Sequence, residues 1–175
     1  RSVSRGLGDV YKRQVNTFPE KAKKFREQMQ AESSVSLHIR RGDYMNGKFA
    51  SIYGNICTDA YYEAARRYMK EHFGDCRFYL FTDDAEWGRQ QESEDTVYVD
   101  ASEGAGAYVD MALMSCCRHH IIANSSFSWW GAWLDENPDK TVIAPAKWLN
   151  ISEGKDIYAG LCNCLIDANG SVQGE

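Results

Sequence analysis

The most informative part of the chain reads Ile121-Ile122-Ala123-Asn124-Ser125-Ser126-Phe127-Ser128-Trp129-Trp130-Gly131-Ala132-Trp133-Leu134. A short apolar run leads into a serine-rich turn, and an aromatic segment follows, which is the order typical of a strand, a tight loop and a helix. The free N–H groups and the positive end of the helix dipole attract anions at such a junction. We therefore expect an anion to bind at Ser125 and Ser126, with Phe127 in contact with the ligand.

A second strand end of the same kind lies upstream, in Val35-Ser36-Leu37-His38-Ile39-Arg40-Arg41-Gly42-Asp43. His38 and Arg40 are two residues apart, so an extended strand projects both from the same face. Arginine binds phosphate oxygens through a fork of donors. The alternatives are a structural histidine and an Arg–Asp pair that stabilises the turn. Taken together, the two strand ends predict a diphosphate clamp.

Helical and strand patterns alternate along the rest of the chain. The predicted helices cover about 19–32, 58–73, 108–117 and 127–136, and Thr58-Asp59 is the expected cap of the second helix. The predicted strands cover 35–40, 77–81, 96–99, 120–123 and 141–144. Strands separated by helices form βαβ units, so we expect an α/β fold with a Rossmann-like parallel sheet. The strands then end at one ligand-binding edge. Trp129, Trp130 and Trp133 recur at helical spacing, which predicts a buried helix face more than a sugar-stacking surface.

Acidic residues occupy two further positions on the predicted edge. Thr82-Asp83-Asp84 follows the second strand, where capping of the next helix explains it most simply, or where one carboxylate faces a ligand. Asp110 lies near the start of a helix, where an acid compensates the helix dipole. An aspartate also accepts hydrogen bonds from the N1–H and the amine of guanine. The sequence alone leaves both alternatives open at each position.

Size and charge exclude several classes of protein. The 175 residues fit one ordinary domain, and the net charge of −5 argues against a nucleic-acid partner. No run approaches the roughly 18 apolar residues of a membrane helix, and no secretion signal is visible, so we expect a cytoplasmic protein, with peripheral membrane association left open. The six cysteines are expected as free thiols. The alternative is a zinc site, for which the spacing is poor, formed by Cys162, Cys164, His119 and His120.

At these motifs the chain resembles the α-1,2-fucosyltransferases of glycosyltransferase family 11. The resemblance rests on a His-x-Arg-Arg-Gly-Asp-Tyr segment at residues 38–44, on Thr82-Asp83-Asp84 followed by Trp87, and on a long block from Asp110 to Trp130. It covers residues 35–148. The last block is long and specific, which makes a chance match a poor explanation.

The resemblance implies the C-terminal half of a GT-B-type enzyme. Such an enzyme transfers L-fucose from GDP-fucose to a galactoside hydroxyl of a galactose-terminated glycan, in an α-1,2 linkage, with inversion and without a metal. It implies that Arg40 holds the β-phosphate as a catalytic group, and Asp43 is a candidate general base. The residues expected to bind the donor are His38, Arg40, Arg41, Asp83, Asp110, Asn124, Ser125, Ser126 and Phe127.

Family members carry a Gly-Leu-Gly-Asn-Gln segment and an acceptor-side domain ahead of the His-x-Arg-Arg block. Neither precedes Pro19, so we expect a truncated fragment whose activity on its own is in question. Residues 1–14 are expected to be a non-native tail, 15–150 the GDP-sugar donor-binding domain, and 151–175 a weakly patterned tail. The main alternative function is a non-catalytic GDP-sugar-binding module that needs a partner chain. A small phosphatase or deacylase ranks last, because no nucleophile motif is present.

Overall fold

The computed structural model describes residues 18–42, 49–101, 106–151, 155–158 and 160–173. The predicted tail at residues 1–14 lies outside them. The elements follow in the order α1 (Glu20–Ala31), β1 (Ser34–Ile39), α2 (Ala50–Tyr53), α3 (Asp59–Phe73), β2 (Arg77–Thr82), α4 (Ala85–Gln90), β3 (Thr96–Tyr98), α5 (Ala107–Met114), β4 (His119–Ile121), α6 (Ser126–Leu134), β5 (Val142–Pro145), a 3-10 helix (Lys155–Tyr158), β6 (Cys164–Ile166) and β7 (Val172–Gln173).

The seven strands of the described residues form one sheet in the order β3-β2-β1-β4-β5-β6-β7. Every neighbouring pair from β3 to β6 is parallel, and β7 runs antiparallel to β6. The first six strands therefore have the order of a Rossmann fold, in which the direction of chain progress reverses between β1 and β4. The predicted Rossmann-like parallel sheet is confirmed. Ligands of such sheets bind at the carboxyl ends of the strands beside that reversal.

Helices cover both faces of the sheet, as the alternation of side chains along each strand requires. Met69 of α3 shares a buried cluster with Leu37 and Leu80 on one face. Tyr79 and Phe81, which alternate with Leu80 in β2, belong to a cluster on the other face that includes α1 and α5. Burying a side chain of this size fully contributes about 1.5–3 kcal/mol, so the two clusters hold the helices against the sheet.

Within the described ranges, three helices begin at residues whose side chains accept a backbone N–H of the first turn. Thr58 caps α3, Asp84 caps α4 and Ser125 caps α6. Thr58 and Asp84 belong to the two segments that the sequence predicted as helix caps. Gly74 ends α3 with a φ of 72°, a conformation that favours glycine. None of the helices within the described ranges has the length and apolar character needed to span a membrane.

The segment after residue 150 is more ordered than its sequence pattern indicated. β6 pairs with β5, and β7 pairs with β6 at the edge of the sheet. The weak pattern of residues 151–175 gave no sign of β7. Both residues of β7 are exposed, and β6 has only three residues. Strands this short carry no recognisable alternation, which explains why the sequence did not reveal them.

The prediction of a buried tryptophan face on α6 is wrong for Trp130 and Trp133. Each is 39% exposed, while the buried positions of the helix are small residues that include Gly131. A β-carbon on Gly131 would lie 2.9 Å from the Sδ of Met114 in α5. The two helices approach so closely that small side chains fill the contact, which turns the larger rings outward.

Candidate functional site

The carboxyl ends of β1 and β4 lie side by side at the reversal point of the sheet. The strand register pairs Leu37 with Ile121, and pairs Ile39 with Thr82 on the other side of β1. The three polar segments that follow these strands therefore meet at one edge, as the sequence predicted. The N-terminus of α6 also opens at this edge, where its free N–H groups and its dipole favour an anion.

The arginine turn after β1 is held by the carboxylates that follow β2. Oδ1 of Asp83 accepts a hydrogen bond from the backbone N–H of Arg41 at 2.9 Å, and Oδ2 accepts one from Gly42 at 3.1 Å. Nε of Arg40 lies 3.2 Å from the same Oδ2. Both carboxylate oxygens of Asp83 are thus engaged within the protein. This geometry supports a role in positioning the turn more than a direct contact with a ligand.

The two arginines of the turn have different surroundings. Arg41 Nε donates to Oδ2 of Asp84 at 3.3 Å, and its guanidinium lies 4.4 Å from the centroid of the Trp87 ring. A cation over an indole face is stabilised by the ring quadrupole. Arg41 therefore packs onto the start of α4, whereas the charge of Arg40 is held at the turn by Asp83. The contact between Arg41 and the Trp87 ring was not predicted from the sequence.

His38 lies beneath the edge, on the face of the sheet that α6 covers. It is 3% exposed, and its ring centroid lies 5.6 Å from that of Phe127. Burial lowers its pKa to about 4, so the imidazole is neutral at neutral pH. Nδ1 is buried and has no hydrogen-bond partner among the described residues. An unsatisfied buried group of this kind costs about 1–3 kcal/mol, a cost that a bound ligand would remove.

Asp110 presents a second buried group of the same kind, in the first turn of α5. Its Oδ1 likewise has no hydrogen-bond partner in the described part of the chain. Burial, with the charge of Asp100 adding to it, raises the pKa of Asp110 to about 6. Phe127 packs against the cluster that contains Val109 of α5 and also contacts His38. Phe127 therefore links His38 to the buried cluster of which α5 is part.

Asn124 holds loops together at the start of α6. Its Nδ2 donates to the carbonyl oxygens of Tyr53 at 3.1 Å and Trp148 at 3.2 Å, and its Oδ1 accepts from the Cys57 thiol at 3.4 Å. The side chain is buried, so this contact set supports a structural role over the predicted contact with a donor. Ser125 is also occupied, because its hydroxyl caps α6 by accepting the Phe127 N–H at 3.3 Å.

Ser126 and the backbone of the first turn of α6 are therefore the groups best placed for an anion at this loop. Ser126 is the first residue of the helix and is exposed. Phe127 is half-buried and touches His38. The candidate base Asp43 lies outside the described residues.

A buried Ser–His–Asp network lies behind the site and was not found from the sequence. Ser36 Oγ lies 2.8 Å from Nδ1 of His120, and Nε2 of His120 lies 3.0 Å from Oδ2 of Asp135. Ser36 is 3% exposed and His120 is fully buried. No substrate reaches a serine so enclosed, so the network joins β1, β4 and the end of α6 and does not supply a nucleophile.

Cysteine and histidine side chains give no support to the zinc alternative. Both ring nitrogens of His120 are engaged in the buried network, and Nδ1 of His119 accepts the N–H of Thr141 at 3.1 Å. All six cysteines are free thiols, as predicted. Among the described residues, no group of three or more potential metal ligands is brought together.

Comparison with known proteins decides the family. The sequence model of glycosyl transferase family 11 matches residues 15–159. The chain belongs to glycosyl transferase family 11. Over 138 residues it is 42% identical to an alpha-1,2-colitosyltransferase of Escherichia coli, covering 75% of this chain and 47% of that protein. The resemblance found in the sequence motifs is thereby confirmed.

Two further relatives match over shorter stretches. The O-antigen biosynthesis glycosyltransferase WbnK of Escherichia coli is 42% identical over 118 residues, covering 66% of this chain and 39% of that protein. Galactoside alpha-(1,2)-fucosyltransferase 1 of Ateles belzebuth is 27% identical over 103 residues, covering 57% and 28%. The chain spans less than half the length of each relative.

Among solved structures, fucosyltransferase NodZ from Bradyrhizobium superimposes with a TM-score of 0.40 and 22% identity. The match covers 64% of this chain and 41% of that one.

Proposed function

We propose that this chain is the donor-binding half of a GT-B-type, inverting α-1,2-glycosyltransferase, which takes L-fucose from GDP-fucose and adds it to a hydroxyl of a galactose-terminated glycan. One observation carries the proposal. Arg40 and the N-terminus of α6 lie at the reversal point of the sheet, together with the unsatisfied Nδ1 of His38 in β1. A second unsatisfied group, Asp110 Oδ1, lies at the start of α5, the helix that follows β3. A diphosphate that carries a hydrogen-bonding base matches this combination of groups.

Arg40 and the first turn of α6 would bind the diphosphate. The guanidinium offers paired donors to phosphate oxygens, and the helix N-terminus offers backbone N–H groups and a positive dipole. When the sugar leaves, negative charge develops on the β-phosphate. Fixed donors that are already aimed at that position stabilise the developing charge without reorganising. Charge neutralisation by these groups removes the need for a metal ion.

His38 and Asp110 would bind the guanine. An ionised Asp110 accepts hydrogen bonds from the N1–H and the exocyclic amine of guanine, and neutral His38 still has a ring nitrogen to offer. Phe127, which contacts His38 at 5.6 Å between ring centroids, would pack beside the nucleotide. Adenine has an acceptor where guanine has its N1–H, so this pair of side chains discriminates between the two bases.

The transfer itself would break the bond between the sugar C1 and the β-phosphate oxygen. GDP leaves with the electron pair, and an oxocarbenium-like sugar forms. The acceptor hydroxyl attacks from the opposite face, and its proton passes to a general base. Asp43 is the residue we propose for that base, next to the arginine turn in the sequence. A cytoplasmic enzyme is our proposal for the location, since the donor is a nucleotide sugar.

A second donor is favoured by the relatives. The identity to the Escherichia coli colitosyltransferase is 42%, against 27% to the fucosyltransferase of Ateles belzebuth. Colitose is fucose without its 3-hydroxyl, and we propose that this site accepts either sugar as its GDP derivative. The alternative of a non-catalytic GDP-sugar-binding module predicts the same nucleotide affinity but no transfer.

Calorimetric titration with GDP, ADP and UDP tests the nucleotide site. We expect GDP to bind at least tenfold more tightly than ADP, since a site that hydrogen-bonds a base rejects an analogue that leaves its polar groups unpaired. The chain fused behind the upstream half of the colitosyltransferase relative is then assayed with GDP-fucose and GDP-colitose on lactose. Equal binding of all three diphosphates contradicts the guanosine site. GDP binding without transfer by the fusion favours the non-catalytic module.

A further inference from the structure

A polar cavity of about 360 Å³ opens at the carboxyl ends of β5 and β6, on the same edge of the sheet as the nucleotide site. Its volume lies within the range of small-molecule sites, about 300–1,000 Å³. The polar side chains that line it are Asn55, Lys147, Asn150, Asp167, Asn169 and Gln173. No step of the proposed nucleotide binding uses any of them.

Hydrogen bonds link the walls of this cavity to one another. Asn150 Nδ2 donates to the carbonyl oxygens of Gly54 at 2.9 Å and Ser51 at 3.2 Å, which joins the loop after β5 to α2 and to the residue that follows α2. The Thr58 hydroxyl donates to the carbonyl oxygen of Ala168, which joins α3 to the loop after β6. Cross-bonded walls keep the shape of the cavity before a ligand arrives, and a preformed site loses less entropy on binding.

The cavity adjoins the phosphate end of the nucleotide site. Asn124 bonds to the carbonyl oxygens of Tyr53 and Trp148, which are close neighbours of the lining residues Asn55 and Lys147. The residue after Asn124 caps α6. The strand order places β5 and β6 on one side of the reversal, while β2 and β3 lie on the other side. A group attached to the β-phosphate would therefore lie toward this cavity, whereas the guanine would lie toward α5.

The lining suits an uncharged, hydroxyl-rich ligand. Carboxamides both donate and accept hydrogen bonds, as sugar hydroxyls do. Asp167 accepts backbone N–H groups from Asn169 and Ser171, each at 2.9 Å, and these bonds hold its pKa below the usual value. Among the described residues of the lining, Lys147 is the single basic residue and Asp167 is the single acid. A lining whose charges offset each other recognises a neutral ligand better than a phosphate.

We propose that this cavity binds a neutral pyranose, the galactosyl unit of the acceptor, beside the sugar of the bound donor. The donor-binding half would then supply part of an acceptor site that the acceptor-side domain of family members completes. The inference rests on the proposed function for the identity of the sugar, and on the amide-rich lining for the chemical class. The donor's own deoxy sugar has the same hydrogen-bonding chemistry and is the other source that the experiment separates. A galactosyl unit held here would present its hydroxyl next to the β-phosphate end of the donor.

Asn55 offers a substitution that removes a polar side chain without straining the backbone. Its φ is 57°, in the left-handed region that glycine adopts readily. Asn55→Gly therefore deletes the carboxamide and keeps the turn. Asn169→Ala deletes a second carboxamide from the exposed side of the cavity. Gln90→Ala is the matched control, because it removes an exposed amide from α4 on the other side of the sheet.

Saturation-transfer NMR with lactose, and separately with free fucose, measures sugar binding to the chain, and calorimetry measures GDP binding to the same samples. We expect lactose to bind about tenfold more weakly to the Asn55→Gly, Asn169→Ala double variant than to the unaltered chain or the Gln90→Ala control, since each lost hydrogen bond weakens binding severalfold. GDP affinity should be unchanged in both. Far-ultraviolet circular dichroism checks that the variants are folded.

The outcomes separate the two proposals. If fucose binding, but not lactose binding, is weakened by the double variant, the cavity holds the donor sugar and the assignment to the acceptor is overturned. If neither sugar binds the unaltered chain, or if the double variant binds both as well as the control does, the sugar site itself is overturned. If lactose behaves as expected while GDP does not bind, the sugar site stands and the nucleotide-sugar function fails.

Discussion

The N–H of Gly42 donates to Oδ2 of Asp83 at 3.1 Å, and a β-carbon on Gly42 would lie 2.6 Å from that same oxygen. Only glycine lets the arginine turn approach this carboxylate so closely. The turn and the carboxylate come from different strands, so their contact sets where Arg40 sits relative to the N-terminus of α6. Affinity for the diphosphate should therefore depend on residues that do not touch it.

Gly42→Ala should weaken GDP binding, because the added methyl group displaces either the turn or Asp83. We expect about a tenfold loss, and much less additional loss when the same change is made in an Asp83→Ala background. Residues in direct contact show coupling energies of about 0.5–3 kcal/mol in a double-mutant cycle. Calorimetry on the four proteins measures the coupling, with Asp75→Ala, an exposed acid at the opposite end of β2, as the control. Additive losses would contradict the positioning role of Asp83.

Arg40→Ala should lower GDP affinity more than any other change in the turn. A hydrogen bond to a charged group is worth about 1.5–3 kcal/mol, which corresponds to roughly ten- to a hundredfold in affinity. Arg40→Lys should retain part of the affinity, because lysine keeps the charge but loses the paired donors. Arg67→Ala, an exposed arginine of α3, should bind GDP normally. Unchanged GDP affinity in Arg40→Ala would show that this arginine only stabilises the turn.

GDP affinity should fall as the pH is lowered through about 6, the pKa that burial gives Asp110. Below that pH the carboxyl is protonated and can no longer accept both N–H groups of guanine. His38 does not titrate in this window, since its pKa lies near 4. The terminal phosphate of GDP also titrates near pH 6, but it does so with every variant. Calorimetry of GDP binding to wild type and to Asp110→Asn between pH 5 and 8 gives two curves of affinity against pH, and their difference reports the titration of the Asp110 carboxyl alone. Two parallel curves would exclude Asp110 from the nucleotide site.

The buried His120–Asp135 pair should contribute measurably to stability. Asp135→Ala leaves Nε2 of a fully buried imidazole without its partner at 3.0 Å, which is expected to lower the free energy of unfolding by about 1–3 kcal/mol. Asp135→Asn, which keeps a hydrogen-bonding group in place, should lose less. Urea unfolding at pH 7.5 measures both, and Asp139→Ala on the exposed turn nearby serves as the control. Equal stability of Asp135→Ala and the control would contradict the role of the pair.

The pH dependence of stability has a definite sign at His120. Burial lowers its pKa in the folded protein below the usual value of 6.5, so the unfolded chain binds the proton more strongly than the folded chain does. The stability that neutral His120 provides is therefore complete above pH 6.5 and declines as the pH falls below it. We expect His120→Gln to be less stable than wild type at pH 7.5, with a difference that narrows at pH 5.

The architecture could be predicted from local sequence, while several roles within the site could not. Apolar runs and capping residues such as Thr58 and Asp84 were visible in short windows, and they predicted the parallel sheet and its ligand edge. The structural bonds of Asp83 and Asn124 link residues 42 and 71 positions apart. No window of sequence shows such pairings, so both side chains resembled ligand contacts. The outward turn of Trp130 likewise depends on the distance between α5 and α6, which no periodicity contains.

The Thr82-Asp83-Asp84 segment should bind no metal ion, although carboxylates are common ligands of magnesium and manganese. Oδ1 of Asp84 accepts the N–H of Trp87 at 3.0 Å and its Oδ2 accepts from Arg41 at 3.3 Å, while Asp83 holds the turn. An ion would have to displace two arginines to reach these oxygens. We therefore expect GDP affinity to change by less than about twofold between excess chelator and added Mn²⁺, and the fusion enzyme to transfer sugar in chelator. Loss of GDP binding in chelator, with recovery on adding Mn²⁺, would instead show that a metal neutralises the diphosphate in place of Arg40 and α6.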